Sequence, residues 1–168
     1  MDMMRRKTLI AILICVLLFT AASAQGGSIN LEGGPGFYKS LDSLSVFLNY
    51  HLDSSPFFGF RSFYGMSFGY WNGDNSNNAI ILAKGILFNL SGDSYFCFEP
   101  GGAYVTQTTS NLGTPLQFSF RFALGARRED MDISLGYRHF SNGKGVFRWT
   151  EKANYGENFI TVQAGYSF

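Results

Sequence analysis

The chain has 168 residues and a formal net charge of +1, with 13 Lys and Arg against 12 Asp and Glu. No basic block stands outside its first residues, which argues against nucleic acid as a partner, since phosphate binding needs many clustered cations. With 18 Phe, 9 Tyr and 20 Gly, the composition points to β-structure whose outer surface does not face plain water.

In chain order, the first segment combines Arg5, Arg6 and Lys7 with an apolar run from Leu9 to Phe19 and the small residues Ala22, Ser23 and Ala24. That order of charge, apolar core and small-residue site predicts a secretory signal peptide over residues 1–24. A transmembrane helix is the alternative, but the run falls short of the ~20 residues that span a bilayer. Cleavage near Gln25 leaves Cys97 as the single cysteine, so no intramolecular disulfide can form in the exported domain, residues 25–168.

Eight runs of alternating residues follow, separated by turn chemistry: Ser28 to Tyr38, Ser43 to Leu52, Phe57 to Trp71, Asn78 to Leu90, Asp93 to Val105, Pro115 to Arg127, Asp130 to Phe140 and Asn158 to Phe168. Each is near or above the ~9 to 11 residues with which a tilted strand crosses a membrane. In the sixth, Leu116, Phe118, Phe120, Phe122 and Leu124 share one face while Gln117, Ser119, Arg121 and Gly125 share the other, and a period of two means strand. The fourth is ambiguous because Lys84 falls on the side of Ile80, Leu82 and Ile86. Links alternate between short ones, such as Asp53 to Pro56 and Ser91-Gly92, and longer polar ones, such as Thr106 to Thr114 and Ser141 to Glu157, the asymmetry of outer-membrane barrels.

These features predict an all-β chain, an eight-stranded antiparallel transmembrane β-barrel. A soluble lipid-carrying barrel has the same alternation with its apolar face turned inward. Two features favour the membrane: charges on the polar face (Arg61, Glu99, Arg121, Asp132, Arg138), which suit a small filled interior, and the terminal Tyr166-Ser167-Phe168, which resembles the assembly signal of outer-membrane proteins.

In the seventh run Ile133, Leu135, Tyr137, His139 and Ser141 share the apolar side. If that side meets lipid, an imidazole and a hydroxyl stand on the barrel exterior near one membrane boundary. Polar residues ending a strand explain this without function; a nucleophile beside its base explains it with one. His51 and His139 are the only histidines, and no Cys/His/Asp cluster has metal-ligand spacing, so neither metal nor cofactor is implied.

His139-Phe140-Ser141-Asn142-Gly143, followed by Asn154-Tyr155-Gly156-Glu157 and a last strand ending in Phe168, resembles the lipid A 3-O-deacylase (PagL) family of outer-membrane esterases. The likeness lies in the last thirty or so residues; the first six strands match in architecture. The resemblance implies a serine-histidine-glutamate triad on the lipid-facing outside of the barrel, cutting the ester-linked acyl chain at the 3-position of lipid A in lipopolysaccharide. It makes Ser141 the nucleophile, His139 the base and Glu157 the acid, with Asn142 and Gly143 as oxyanion donors and Asn154 supporting their loop. Two departures stand out: the connection from Asn142 to Asn154 is long, and Glu157 has the parity of Phe159, Thr161 and Gln163 on the interior face. Either a bulge re-aims Glu157 or Glu151 takes its place. Lys144, Arg148 and Lys152 in that connection are expected at the height of lipid A phosphates, beside Phe147 and Trp149. The competing function is a non-enzymatic barrel whose external loops bind ligands or surfaces.

Overall fold

The structure is a computed structural model that describes residues 26–73, 75–144, 152 and 154–168. The expected signal peptide, Phe147, Arg148, Trp149 and Glu151 lie outside the described residues. Eight strands, β1 (Gly27–Pro35), β2 (Leu44–Phe57), β3 (Phe60–Asn72), β4 (Asn77–Asn89), β5 (Ser94–Val105), β6 (Leu116–Arg128), β7 (Met131–Ser141) and β8 (Glu157–Ser167), form a closed antiparallel barrel in sequential order. β1 closes it by pairing with β8, from Ser28 opposite Ser167 to Gly33 opposite Val162. Closure leaves no strand with an unpaired edge, the condition for β-structure inside a bilayer.

The direction of the side chains decides between the two kinds of barrel. Leu48, Tyr64, Phe68, Leu82, Phe118, Leu124, Ile133, Leu135 and Val162 stand exposed on the outside. Glu32, Asn49, Ser67, Glu99, Arg121, Ser134, Arg138 and Gln163 are buried within. This is the reverse of a soluble lipid carrier, and the outer surface is matched to hydrocarbon. Lys84 does belong to the outer face, where its Nζ lies 4.0 Å from the Tyr64 ring centroid and donates to Ser54 Oγ at 2.5 Å. Arg61 departs from the expected interior set: it sits at the barrel rim, half-exposed, 3.8 Å from Asp53.

Three layers fill the interior. At the end bearing the long loops, Phe47, Trp71, Phe140 and Phe159 form an aromatic plug, with Trp71 and Phe140 stacked at 5.3 Å. Its fit depends on Gly69, where a Cβ would come within 2.3 Å of the Phe47 ring. In the middle, Glu32 accepts from Arg138 Nη2 at 2.7 Å and Nε at 3.1 Å, from Thr161 Oγ1 at 2.8 Å and from Asn49 Nδ2 at 2.9 Å, and pairs with Arg121 at 3.4 Å. At the short-turn end Phe63, Leu87, Tyr95, Cys97 and Ala123 make a second apolar cluster.

Three boundaries differ from the periodicity by more than one residue: the end of β1, the end of β2 and the start of β3, at Phe60 rather than Phe57. The second strand does not stop at Leu52 but runs through Pro56 to Phe57, with a register shift between Ser54 and Phe57 that accommodates the proline at an irregularity. The turn is instead Phe58-Gly59, with φ of 50° and 84°, the doubly positive pair that two-residue hairpins require. The first strand ends at Pro35 rather than Tyr38, and a 3-10 turn at Tyr38–Ser40 follows.

Candidate active site

Packing of a single residue sets the end of β7. Phe140 is completely buried in the aromatic plug, stacked on Trp71 and on Phe47 at 6.1 Å. Since neighbours along a strand point to opposite faces, this anchor turns His139 and Ser141 outward. Both are half-buried on the apolar exterior, as the alternation predicts. Opposite them on β6 stand Phe120, facing His139, and Phe118, facing Ser141. The imidazole packs against Phe120 with ring centroids 4.7 Å apart.

On the other side, register places Asn158 of β8 directly opposite His139 and Glu157 opposite Phe140. His139 Nδ1 lies 2.8 Å from Asn158 Oδ1, and the Tyr137 hydroxyl donates to the same oxygen at 2.5 Å. The structure therefore brings the imidazole together with Asn158 and not with Glu157. No bulge re-aims Glu157: it is fully buried on the interior face, receiving hydrogen bonds from Ser40 Oγ on one carboxylate oxygen and from Asn111 Nδ2 on the other at 3.0 Å. Parity is the physical reason, because moving a side chain by one residue in a strand carries it through the barrel wall. Ser40 Oγ also accepts the backbone N–H of Asn158 at 3.1 Å, so Glu157 touches the imidazole's partner through one intermediary.

Gly156 shows why a glycine precedes this pair. Its φ is +78°, and a Cβ there would meet His139 Cε1 at 2.7 Å and the Phe140 carbonyl oxygen at 3.0 Å. The turn into β8 thus closes against one edge of the imidazole. Among the described residues no hydrogen bond joins Ser141 Oγ to His139; the two are next-but-one neighbours on one face, a spacing of about 7 Å along a strand.

The loop after β7 is tied to the residues that precede β8. Asn154 Oδ1 accepts the Asn142 N–H at 2.8 Å, so Asn154 supports the loop, and by the same bond it occupies that backbone donor. Asn142 is buried and its Oδ1 accepts the Lys144 N–H at 3.0 Å. Gly143 follows with φ of 70°. Lys144 is half-buried and Lys152 exposed. Another cation, which periodicity did not single out, is Lys39, whose Nζ sits 5.5 Å from the Tyr38 ring centroid and 5.6 Å from that of Tyr155.

Tyr137, Asn158, Ser40 and Asn111, which motif reasoning did not single out, make the hydrogen bonds around His139 and Glu157. The signal for Asn158 was present, since the parity count that puts Glu157 inside puts the next residue outside. Ser40 and Asn111 come from loops distant in sequence, and no local pattern marks them.

Comparison with known proteins bears on the fold and the family. The crystal structure of the outer membrane enzyme PagL superposes with a TM-score of 0.65 at 18% identity, covering 83% of this chain and 98% of that one. The N-terminal β-barrel domain of Pseudomonas aeruginosa OprF gives 0.62 at 14% identity, covering 86% and 98%, and a de novo designed transmembrane β-barrel gives 0.60 at 14%, covering 86% and 96%. At such identities the likeness speaks for the barrel fold. None of the curated proteins compared matches the chain. The model of one family, lipid A 3-O-deacylase (PagL), matches residues 42–167, a span that begins before β2 and takes in the outward His139 and Ser141 together with Asn158: the chain belongs to that family.

Proposed function

We propose that this outer-membrane lipid A 3-O-deacylase works as a serine esterase in which Ser141 is the nucleophile, His139 the general base and Asn158 the residue that orients the base. The observation that carries the reading is the Asn158 Oδ1 bond to His139 Nδ1 on the lipid-facing side of the barrel. An amide oxygen accepts, so the Nδ1 position carries the proton and Nε2 keeps the lone pair that a base needs. The Tyr137 hydroxyl, donating to the same oxygen, holds the amide in that orientation.

The reaction follows in two halves. Ser141 Oγ attacks the ester carbonyl carbon while His139 Nε2 takes the hydroxyl proton, a rotation of the serine side chain bringing the two within reach. The tetrahedral intermediate collapses by breaking the bond to the sugar oxygen, which receives the proton from His139 and leaves as the free 3-hydroxyl. Water, deprotonated by the same nitrogen, then attacks the acyl-serine and releases the fatty acid. Gly143 is suited to donate its N–H to the oxyanion, its positive φ turning the backbone at the residue after Asn142. In this reading the long-loop end faces outward from the cell, where Lys39, Lys144 and Lys152 meet the phosphates of the substrate. Arg148 belongs to the same set by its place in the loop.

Mass spectrometry of lipid A from cells expressing the wild-type or the Ser141→Ala protein tests this. The wild type is expected to shorten lipid A by one ester-linked acyl chain, and the variant, folded in the membrane at the same level, to leave it intact. Equal acylation in the two strains would put the non-enzymatic barrel ahead.

A further inference from the structure

Strand register links Ser141 to a gap in the outer wall. Ser141 of β7 lies opposite Phe118 of β6, Phe118 opposite Gly102 of β5, and Gly102 opposite Leu82 of β4. These four residues form one row across four strands, and all point outward. The row also descends. Ser141 is the last residue of its strand at the long-loop end, Phe118 the third from that end of β6, Gly102 the fourth from that end of β5 and Leu82 the sixth from that end of β4. Strand tilt therefore carries the row from the barrel rim towards mid-membrane.

Along this row the outer surface is hollow. A groove of about 570 Å³ is lined by Ile80, Leu82, Gly102, Tyr104, Leu116 and Phe118. Its floor is Gly102, where a Cβ would find no heavy atom within 4 Å. Large apolar side chains stand on either side: Leu82, Tyr104, Leu116 and Phe118 are all exposed. Another groove, of about 600 Å³, lies across β5 to β8 around Leu124, Leu135 and Val162 towards the short-turn end, outside the row that starts at Ser141.

We infer that the groove over Gly102 holds the acyl chain that is cut, and that Gly102 sets how well long chains are accepted. This rests on Ser141 being the nucleophile. A chain whose carbonyl sits at Ser141 meets Phe118 one strand away and Gly102 two strands away, about 10 Å from the nucleophile at the usual interstrand spacing. Near Ser141 short and long chains make the same contacts. Only a long chain reaches Gly102, where the missing side chain lets it lie against the barrel wall between apolar neighbours. Each methylene laid there is removed from competition with bulk lipid, and the groove fixes the ester in place over Ser141.

Substitution at Gly102 tests this, because the open space admits a side chain without disturbing the barrel. The purified protein in detergent is assayed with p-nitrophenyl butyrate and p-nitrophenyl myristate, as wild type, Gly102→Phe, Leu48→Phe (an outward position on β2, away from the row) and Ser141→Ala. Gly102→Phe is expected to lower the myristate-to-butyrate ratio of kcat/KM at least 10-fold with butyrate hydrolysis unchanged, and Leu48→Phe to leave both rates as they are. An unchanged ratio in Gly102→Phe, an equal loss of both substrates, or the same ratio change in Leu48→Phe would overturn the groove. Full hydrolysis by Ser141→Ala would instead overturn the nucleophile, and the two failures are thereby told apart.

Discussion

In the proposed mechanism Asn158 stands where a triad carboxylate would be, and its neutral amide changes what the third residue can do. There it orients the imidazole through the Nδ1 bond but would bring no negative charge to an imidazolium formed in the proposed attack. Asn158→Ala is expected to lower kcat by about 10²-fold, within the range attributed to a positioned base, with little change in KM. Asn158→Asp places a carboxylate against the ring, and an opposite charge at that distance favours the protonated imidazole. Since only the neutral ring acts as base, the acid limb of the pH–rate profile should move to higher pH; a profile coincident with wild type would show that Asn158 does not face the working imidazole. At this scale the outward aspect of Ser141 and His139 was readable in the sequence, because a period of two suffices. For Glu157 the resemblance and the alternation pointed opposite ways, and the structure follows the alternation, which places this carboxylate indoors.

Elements meet at this site through hydrogen bonds that no strand pattern encodes. Glu157 at the start of β8 binds Ser40 in the connection between β1 and β2 and Asn111 in the connection between β5 and β6, while Gly156 N–H donates to the Asn111 carbonyl at 3.1 Å. Ser40 in turn receives the Asn158 N–H, so two loops far apart in sequence hold the entry of β8 against β7. Ser40→Ala leaves a buried carboxylate oxygen short of a donor and frees the backbone of Asn158. The expected result is a loss of about 1–3 kcal/mol in urea unfolding of the reconstituted barrel, together with a several-fold fall in kcat. Strand existence was readable because each run alternates for at least nine residues. The Phe58-Gly59 turn was not, since Pro56 is the stronger turn signal and the bulge that tolerates it depends on pairing with β3.

For the whole molecule, the barrel inverts the plan of a soluble protein: its centre is ionic and its surface apolar. Glu32 is the hub, bound by Arg138 and paired with Arg121, all three essentially inaccessible to solvent. Removing one partner of a buried ion pair costs about 3–5 kcal/mol, because the charge left behind is uncompensated. Glu32→Ala should therefore lower unfolding stability by about that amount, and Glu32→Gln, which keeps an acceptor for Arg138, by less; denaturant midpoints of the two variants make the comparison. The eight strands and the polar interior followed from alternation, link lengths, charge placement and the terminal aromatic residues. The descending row from Ser141 to Leu82 did not, because it exists only once four registers are known.

With Ser141 as the proposed nucleophile, the outward aspect of His139 and Ser141 also determines how the protein meets its substrate. Nothing needs to leave the bilayer or enter a pore: encounter is a collision between two bodies drifting in one leaflet. Turnover should accordingly follow the mole fraction of substrate within that sheet, and spreading the same lipid among inert amphiphiles should slow it even when the total amount per volume is constant.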